Sequence, residues 1–207
     1  MAKMGSSRHL KRLAAPAFWP IARKEFKWVV KPSPGPHPIE RSLPLLVVVR
    51  DVLGLAETAR EAKRIISDGK IFIDGRVRRD YKFPVGLMDV IYIPEIDKSY
   101  RMVPHPVKVL WPVEIPLEER DLKLVRIDGK RTVKGGNIQL NLHDGRNIVI
   151  RTSRPIKPPE DAYKPMDSLL IKVPTQEIIN HFKISAGSLV VVIDGKNVGR
   201  VGRIVNI

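Results

Sequence analysis

SLPLLVVVRDVLGLAETAREAKRIISDGKIFIDGRVRRDYKFPVGLMDVIYI, residues 42–93, is the stretch that decides the fold. It reads as two short helices followed by a β-hairpin, with arginines and lysines gathered on one side. The first helix is apolar and covers residues 42–53. Pro44 sits near its start, where a missing N–H costs nothing. The second helix opens on Thr58, and Glu61 three residues later completes a capping box. It closes at Gly69. At about 100° per residue, Ala59, Ala62 and Ile66 share one face, with Ile65 beside it. Arg60, Lys63 and Arg64 fall opposite. A strand over 70–73, an Asp74-Gly75 turn and a strand over 76–79 follow. Lys70, Arg76, Arg78 and Arg79 add four cations. Cations that neutralise phosphates release condensed counterions, so this surface suits a nucleic-acid backbone.

Composition points the same way. Among 207 residues there are 37 Lys and Arg against 22 Asp and Glu, a formal net charge of +15. That bias calls for an acidic partner, nucleic acid before anionic membrane. A hydrophobic content of 43% is enough for packed cores. The absence of cysteine excludes disulfides, thiolate nucleophiles and cysteine zinc sites. No stretch approaches the ~20 apolar residues of a membrane span. The N-terminus is too broken by prolines for a signal-peptide core. A soluble, cytoplasmic protein without a membrane partner is expected.

Basic charge is concentrated at the front. Up to residue 41 the cations are Lys3, Arg8, Lys11, Arg12, Arg23, Lys24, Lys27, Lys31 and Arg41, opposed only by Glu25 and Glu40. Prolines at 16, 20, 32, 34, 36 and 38 prevent long helices. The expectation is an extension that lacks long regular structure, makes few long-range contacts and orders by lying on something else. The alternative is a proline-rich strap on its own protein, aromatics inward. Trp19 and Trp28 are assigned to protein packing, because large apolar side chains gain from burial.

Beyond residue 106 the pattern becomes β. Residues 122–127 lead into Asp128-Gly129. Residues 137–142 alternate strictly and run through His143 into Asp144-Gly145, followed by 146–150. Asp-Gly between alternating runs signals a hairpin turn, and a small antiparallel β domain is expected. Residues 154–165, with four prolines, read as a linker, and 168–173 as another strand. At the end, 189–193 and 201–205 are expected to pair antiparallel around a loop over 194–200. Either Val190, Val192 and Ile204 or the opposite set, Leu189, Val191 and Ile193, face a core.

Catalytic constellations are missing from the pattern. His9, His37, His105, His143 and His181 are far apart, with no two-histidine helical metal spacing. Gly135-Gly136 lacks the spacing of a phosphate-binding loop, and no helix follows Gly199-x-x-Gly202. Asp74, Asp128, Asp144 and Asp194 each precede glycine and are assigned to turn formation. His143 reads as an ordinary polar residue on a strand edge. No catalytic residue, cofactor or metal is expected.

Three blocks taken in order resemble one family. The first is His9-Leu-Lys-Arg-Leu-Ala-Ala-Pro16 with Gly35-Pro36-His37. The second is Ser42-Leu-Pro-Leu-Leu46, Arg50-Asp51, Asp68-Gly69, Ile73-Asp-Gly75, Arg79-Asp80 and Pro84-Val-Gly-Leu-Met-Asp-Val90. The third, residues 187–205, looks like a KOW motif. Together they are similar to the archaeal and eukaryotic small-subunit ribosomal protein family S-four-e.

The resemblance implies an α+β, multi-domain and mostly β chain in four parts. These are a basic proline-rich extension (1–41), an αL-type, S-four-like RNA-binding domain (42–105), a central antiparallel β domain (106–173) and an SH3-like KOW segment (174–207). The last part stops short of a full barrel, or borrows 169–173 and 178–184. The resemblance also implies a non-catalytic ribosomal constituent whose partners are small-subunit ribosomal RNA and neighbouring ribosomal proteins, with no small-molecule substrate. The candidate RNA-binding residues are Arg60, Lys63, Arg64, Lys70, Arg76, Arg78, Arg79 and Lys82 in the helix–hairpin. In the extension they are Arg8, His9, Lys11, Arg12, Arg23, Lys24, Lys27, Lys31, His37 and Arg41. Near the end they are Lys196, Arg200 and Arg203. The competing reading is an RNA-binding accessory subunit of an RNA-modifying or transcription-elongation assembly.

Overall fold

A computed structural model describes residues 7–152 and 162–207. The first residues of the extension, and 154–161 of the expected linker, lie outside the described residues. The extension starts with β1 (Leu10–Lys11) and β2 (Trp28–Val29), which pair antiparallel. Between them the chain folds back, and Ala15 and Trp19 are buried against the body of the protein, with Phe18 and Ile21 packed beside them. Trp19 Nε1 donates to the Ser42 carbonyl at 3.0 Å in a buried hydrogen bond. The expectation of few long-range contacts is therefore corrected: the segment is an integral strap. Proline keeps it irregular, and burial of its aromatic and aliphatic side chains holds it down.

The first helix begins later than its apolar run suggested. Ser42–Pro44 is extended, as β3, and the helix is α1 (Leu45–Val47), which continues as a π-helical turn over Val48–Val52. Two causes act together. Pro44 disfavours helical backbone at Leu43. The first helical N–H groups are also taken from outside, Leu45 N donating to Phe83 O at 2.9 Å and Leu46 N to Tyr81 O at 3.0 Å.

The second helix, α2 (Ala59–Ser67), carries the expected capping box. Glu61 N donates to Thr58 Oγ1 at 3.2 Å, and Thr58 N donates to the Glu61 carboxylate at 3.3 Å. Strands β4 (Phe72–Ile73) and β5 (Arg76–Val77) meet through Asp74 and Gly75 at φ +51° and +72°, the left-handed pair that a two-residue hairpin turn requires. Then β6 (Pro84–Gly86) pairs with β3. With β7 (Val90–Ile93), β8 (Lys98–His105) and β9 (Val109–Ile115), the hairpin completes a five-stranded sheet in the order β5-β4-β7-β8-β9. The division drawn at 105/106 falls in the turn between β8 and β9, two strands of one sheet.

The second sheet holds β10 (Leu122–Thr132), β11 (Ile138–Leu142), β12 (Asn147–Ile150), β13 (Ser168–Lys172) and β14 (Glu177–Phe182), in the order β12-β11-β10-β13-β14. Asp128-Gly129 is not a hairpin turn. It lies inside β10, whose first half pairs with β13 and whose second half pairs with β11, with a register shift between Ile127 and Gly129. The bulge lets one strand change partners. The turn comes later, where Gly135 and Gly136 both take positive φ. Since β14 pairs with β13 here, the segments 169–173 and 178–184 are not borrowed by the terminal motif, and the division at 173/174 separates paired strands.

At the end, β15 (Leu189–Val191) and β16 (Val201–Arg203) pair only with each other among the described residues. Neither alternating set closes a core there. Leu189 and Val201 are exposed, Val190 and Val191 are half-buried, and the buried apolar side chain is Val198 in the loop.

Two apolar cores result. One gathers the strap, α1, α2 and the first sheet around Leu43, Leu46, Ile66, Ile71 and Ile91. The other lies on the second sheet around Val125, Ile127, Leu140, Leu169 and Ile171. What joins them is charged.

Candidate nucleic-acid interface

Helix α2 sorts its side chains as its periodicity demands. Ala62 and Ile66 are fully buried, Ala59 and Ile65 half-buried, and Arg60, Lys63 and Arg64 are exposed. Beside this face Tyr81 lies between two ammonium groups, Lys63 Nζ 4.7 Å and Lys82 Nζ 5.6 Å from its ring centroid. Arg79 joins the same side, its guanidinium against Gly69 at the end of α2. Five cations and a tyrosine thus form one outward surface, which suits phosphates and the face of an unpaired base.

The hairpin cations do not all share that side. Side chains alternate along a strand. Val77 and Arg79 lie towards Gly69, whereas Arg76 and Arg78 line a cleft on the other face. Lys70 meets Glu95 at 2.7 Å in an exposed pair, which partly cancels its charge.

Several cations of the strap serve the fold. Arg12, 7% exposed, donates to the carbonyls of Trp28 and Ala22. Arg23 donates to the carbonyls of Arg12, Ala15 and Pro16 at 2.7–3.0 Å. His37 is buried, and its Nε2 donates to Asp89 Oδ1 at 3.0 Å. The outward roles expected of Arg12 and His37 are corrected by this burial. An irregular segment without ladder partners needs side-chain donors for its carbonyls, and Arg12 and Arg23 supply them. Lys31 reaches the Ser7 carbonyl, and Arg41 pairs with Asp194.

Arg8, His9, Lys11, Lys24 and Lys27 remain exposed. Trp28 is 49% exposed, with Lys27 Nζ 5.2 Å from its ring and His9 tilted against it, so its assignment to protein packing is corrected. Lys196, Arg200 and Arg203 are exposed on the terminal hairpin.

The junction between the two sheets escaped the sequence reading. Lys123, on β10, is fully buried and reaches Asp89 at 2.6 Å, Asp74 at 2.7 Å and Asp144 at 3.1 Å. Arg146 bridges Asp74 at 2.6 Å and Asp144 at 3.2 Å. Asp74 and Asp144 therefore do more than form turns. Burial opposes the Asp89 charge, but Lys123 and His37 outweigh it and hold the carboxyl below the usual range. Asp144 is likewise held low by Lys123 and Arg146 against burial. Burial and the neighbouring Asp89 push Asp74 upward. Burial disfavours the Lys123 ammonium, yet three carboxylates raise its pKa.

His143 is no ordinary edge residue. Its Nδ1 accepts from Arg126 N at 3.2 Å while its Nε2 donates to Leu87 O at 3.3 Å, tying one sheet to the other. Burial lowers its pKa, consistent with the neutral ring these partners need. A basic residue inside β10 was the one available signal, since Lys123 breaks the apolar face of residues 122–127.

Comparison with known proteins bears on this surface. The RS4NT domain matches residues 4–40, the S4 domain residues 43–91, and the ribosomal family S4e residues 96–178. The small ribosomal subunit protein eS4 of Staphylothermus marinus is 59% identical over 207 residues, all of this chain and 82% of the relative. The chain belongs to the ribosomal S4e family. The eS4 protein of Aeropyrum pernix is 60% identical over 202 residues, 98% of this chain and 80% of that one. The crystal structure of the 30S ribosomal protein S4e from Thermoplasma acidophilum superposes with a TM-score of 0.68 at 34% identity, covering 81% of this chain and 82% of that one. This S4e-family member is thus mostly β with few helices and contains an S4 domain, in a family of structural ribosomal proteins rather than enzymes. None of its helices, among the described residues, is long and apolar enough to cross a membrane.

Proposed function

We propose that this chain is a structural constituent of the small ribosomal subunit, working at the ribosome in the cytoplasm without catalysis. It binds ribosomal RNA and lies against neighbouring ribosomal proteins. The observation that carries this reading is the outward face of α2. There Arg60, Lys63 and Arg64 stand exposed beside the Lys63–Tyr81–Lys82 stack. None of the three is needed inside the fold, so the charge is free for a partner.

Double-helical RNA offers little base readout through its deep major groove, so binding depends on backbone and shape. The exposed strap cations around Trp28, and Lys196, Arg200 and Arg203 on the terminal hairpin, extend the contact. That hairpin is read as the start of an SH3-like KOW unit. The test is binding to a small-subunit ribosomal RNA transcript at moderate salt. Arg60→Glu, Lys63→Glu and Arg64→Glu together should weaken binding by about a hundredfold or more. Helix content and the unfolding midpoint should be nearly unchanged, because exposed substitutions usually cost ~0.5 kcal/mol or less. Equal affinity of the triple variant and the wild type would reject this face as the interface.

A further inference from the structure

The second face of the β4–β5 hairpin opens on a cleft of about 380 Å³ where the first sheet meets the β11–β12 turn. Arg76, Arg78 and Arg146 converge on it from two sheets. Their situations differ in an instructive way. Arg146 directs Nη2 and Nε at Asp74 and Asp144, which leaves Nη1 without a partner among the described residues. Arg78 is half-buried over the Phe83 ring, 4.3 Å from its centroid, and among the described residues forms no side-chain hydrogen bond or ion pair; its Nε is buried and has no partner among them.

Arg76 is exposed and has no ion pair among the described residues. Burial and the nearby Arg76 both disfavour the Arg78 charge. Asp74 and Asp89 offset this only in part, the net effect still lying against the charge, and the two carboxylates in the wall, Asp74 and Asp144, are already engaged by Lys123 and Arg146. A buried guanidinium donor with no acceptor is costly. Two arginines without an ion pair among the described residues, beside a third, make an anion the natural complement.

We infer that this cleft seats one phosphate group of the bound RNA backbone, held by Arg78, Arg76 and the free side of Arg146. The inference rests on the RNA-binding reading above and adds to it a second contact, on the opposite hairpin face from α2 and shared between the two sheets. A strand of RNA that touches both faces must pass around the hairpin. Arg146, which sequence reasoning left out, becomes part of the interface.

The salt dependence of binding to the same RNA transcript tests it, using the full chain. Each neutralised duplex phosphate contributes about 0.9 to the slope of log K against log salt, about 0.7 for single strands. Arg78→Gln should lower the slope by roughly one contact, and Arg78→Lys, which keeps the charge, should restore it. A slope unchanged in Arg78→Gln, with RNA binding otherwise normal, overturns the cleft and leaves the α2 reading standing. Loss of RNA binding by the wild type itself would overturn both.

A second arm separates the sources of phosphate. Inorganic phosphate alone is titrated against the side-chain Nε–Hε resonance of Arg78 by NMR. A shift of that resonance, together with the slope change, supports the proposal. A shift without any slope change assigns the cleft to a free phosphate anion and overturns the RNA-backbone site.

Discussion

Lys123 Nζ and Asp89 Oδ1 lie 2.6 Å apart between the two sheets, with side-chain exposures of 1% and 2%. Around this contact Asp74, Asp144, Arg146 and His37 complete a network that spans the strap, the hairpin and the second sheet. Such a network ties together two separate apolar cores. It is the reason a cation surface on one sheet and Arg146 on the other keep a defined geometry.

Lys123→Met should destabilise the chain by about 3–5 kcal/mol at neutral pH, because it leaves three buried carboxylates without their ammonium. The pH dependence gives a sharper signature. In the wild type Asp89 and Asp144 are held below the ordinary carboxylate range. Their contribution is complete above pH ~4 and is lost as pH falls through their folded values. Asp74 is raised, so its contribution has the opposite sign and fades as pH rises through its folded value. Without Lys123 all three carboxyls shift upward, and stability should fall as pH rises from ~4 to 7. Urea unfolding across that range measures the slope, and a wild-type profile in Lys123→Met would show that the ammonium does not organise the junction.

Trp19→Ala should cost about 3–5 kcal/mol as a buried aromatic truncation. It also leaves the buried Ser42 carbonyl without its indole donor. In the RNA-free protein, limited proteolysis should leave residues 12–38 of the wild type intact and cut them rapidly in the variant. Rapid cleavage of the wild-type strap would mean that it docks only on RNA.

Gly86→Ala probes the latch between strap and body. A Cβ at Gly86 would lie 2.2 Å from His37 Cγ, far inside van der Waals contact. The His37 ring cannot retreat without giving up Asp89, so overpacking of about 1–3 kcal/mol is expected. That corresponds to a Tm lower by roughly 2–4 °C per kcal/mol in a chain of this size. An unchanged Tm would show that the ring moves freely and that the His37–Asp89 contact contributes little.

The elements that were legible are those governed by local rules. The Thr58–Glu61 box, the faces of α2 and the Asp74-Gly75 turn each depend on residues within a few positions. Asp128-Gly129 misled, because a turn dipeptide in a long strand can equally form a bulge, and only the partners on either side decide. The start of α1 was hidden for the same reason: its N–H groups are satisfied by Tyr81 and Phe83, some 35 residues away. For the candidate interface, helix periodicity placed Arg60, Lys63 and Arg64 on the exposed face that they occupy. It could not show that Arg12 and His37 turn inward, that Arg76 and Arg78 part from Arg79, or that Arg146 joins them. Those placements are set by tertiary contacts with no counterpart in local pattern.

The central claim, that this chain is a resident structural protein of the small subunit, is tested most directly by its copy number in small subunits purified through a high-salt wash. Quantitative mass spectrometry should find one copy per ribosomal RNA molecule. Subunits that lack the protein, or carry it only in trace amounts after the wash, would contradict the account.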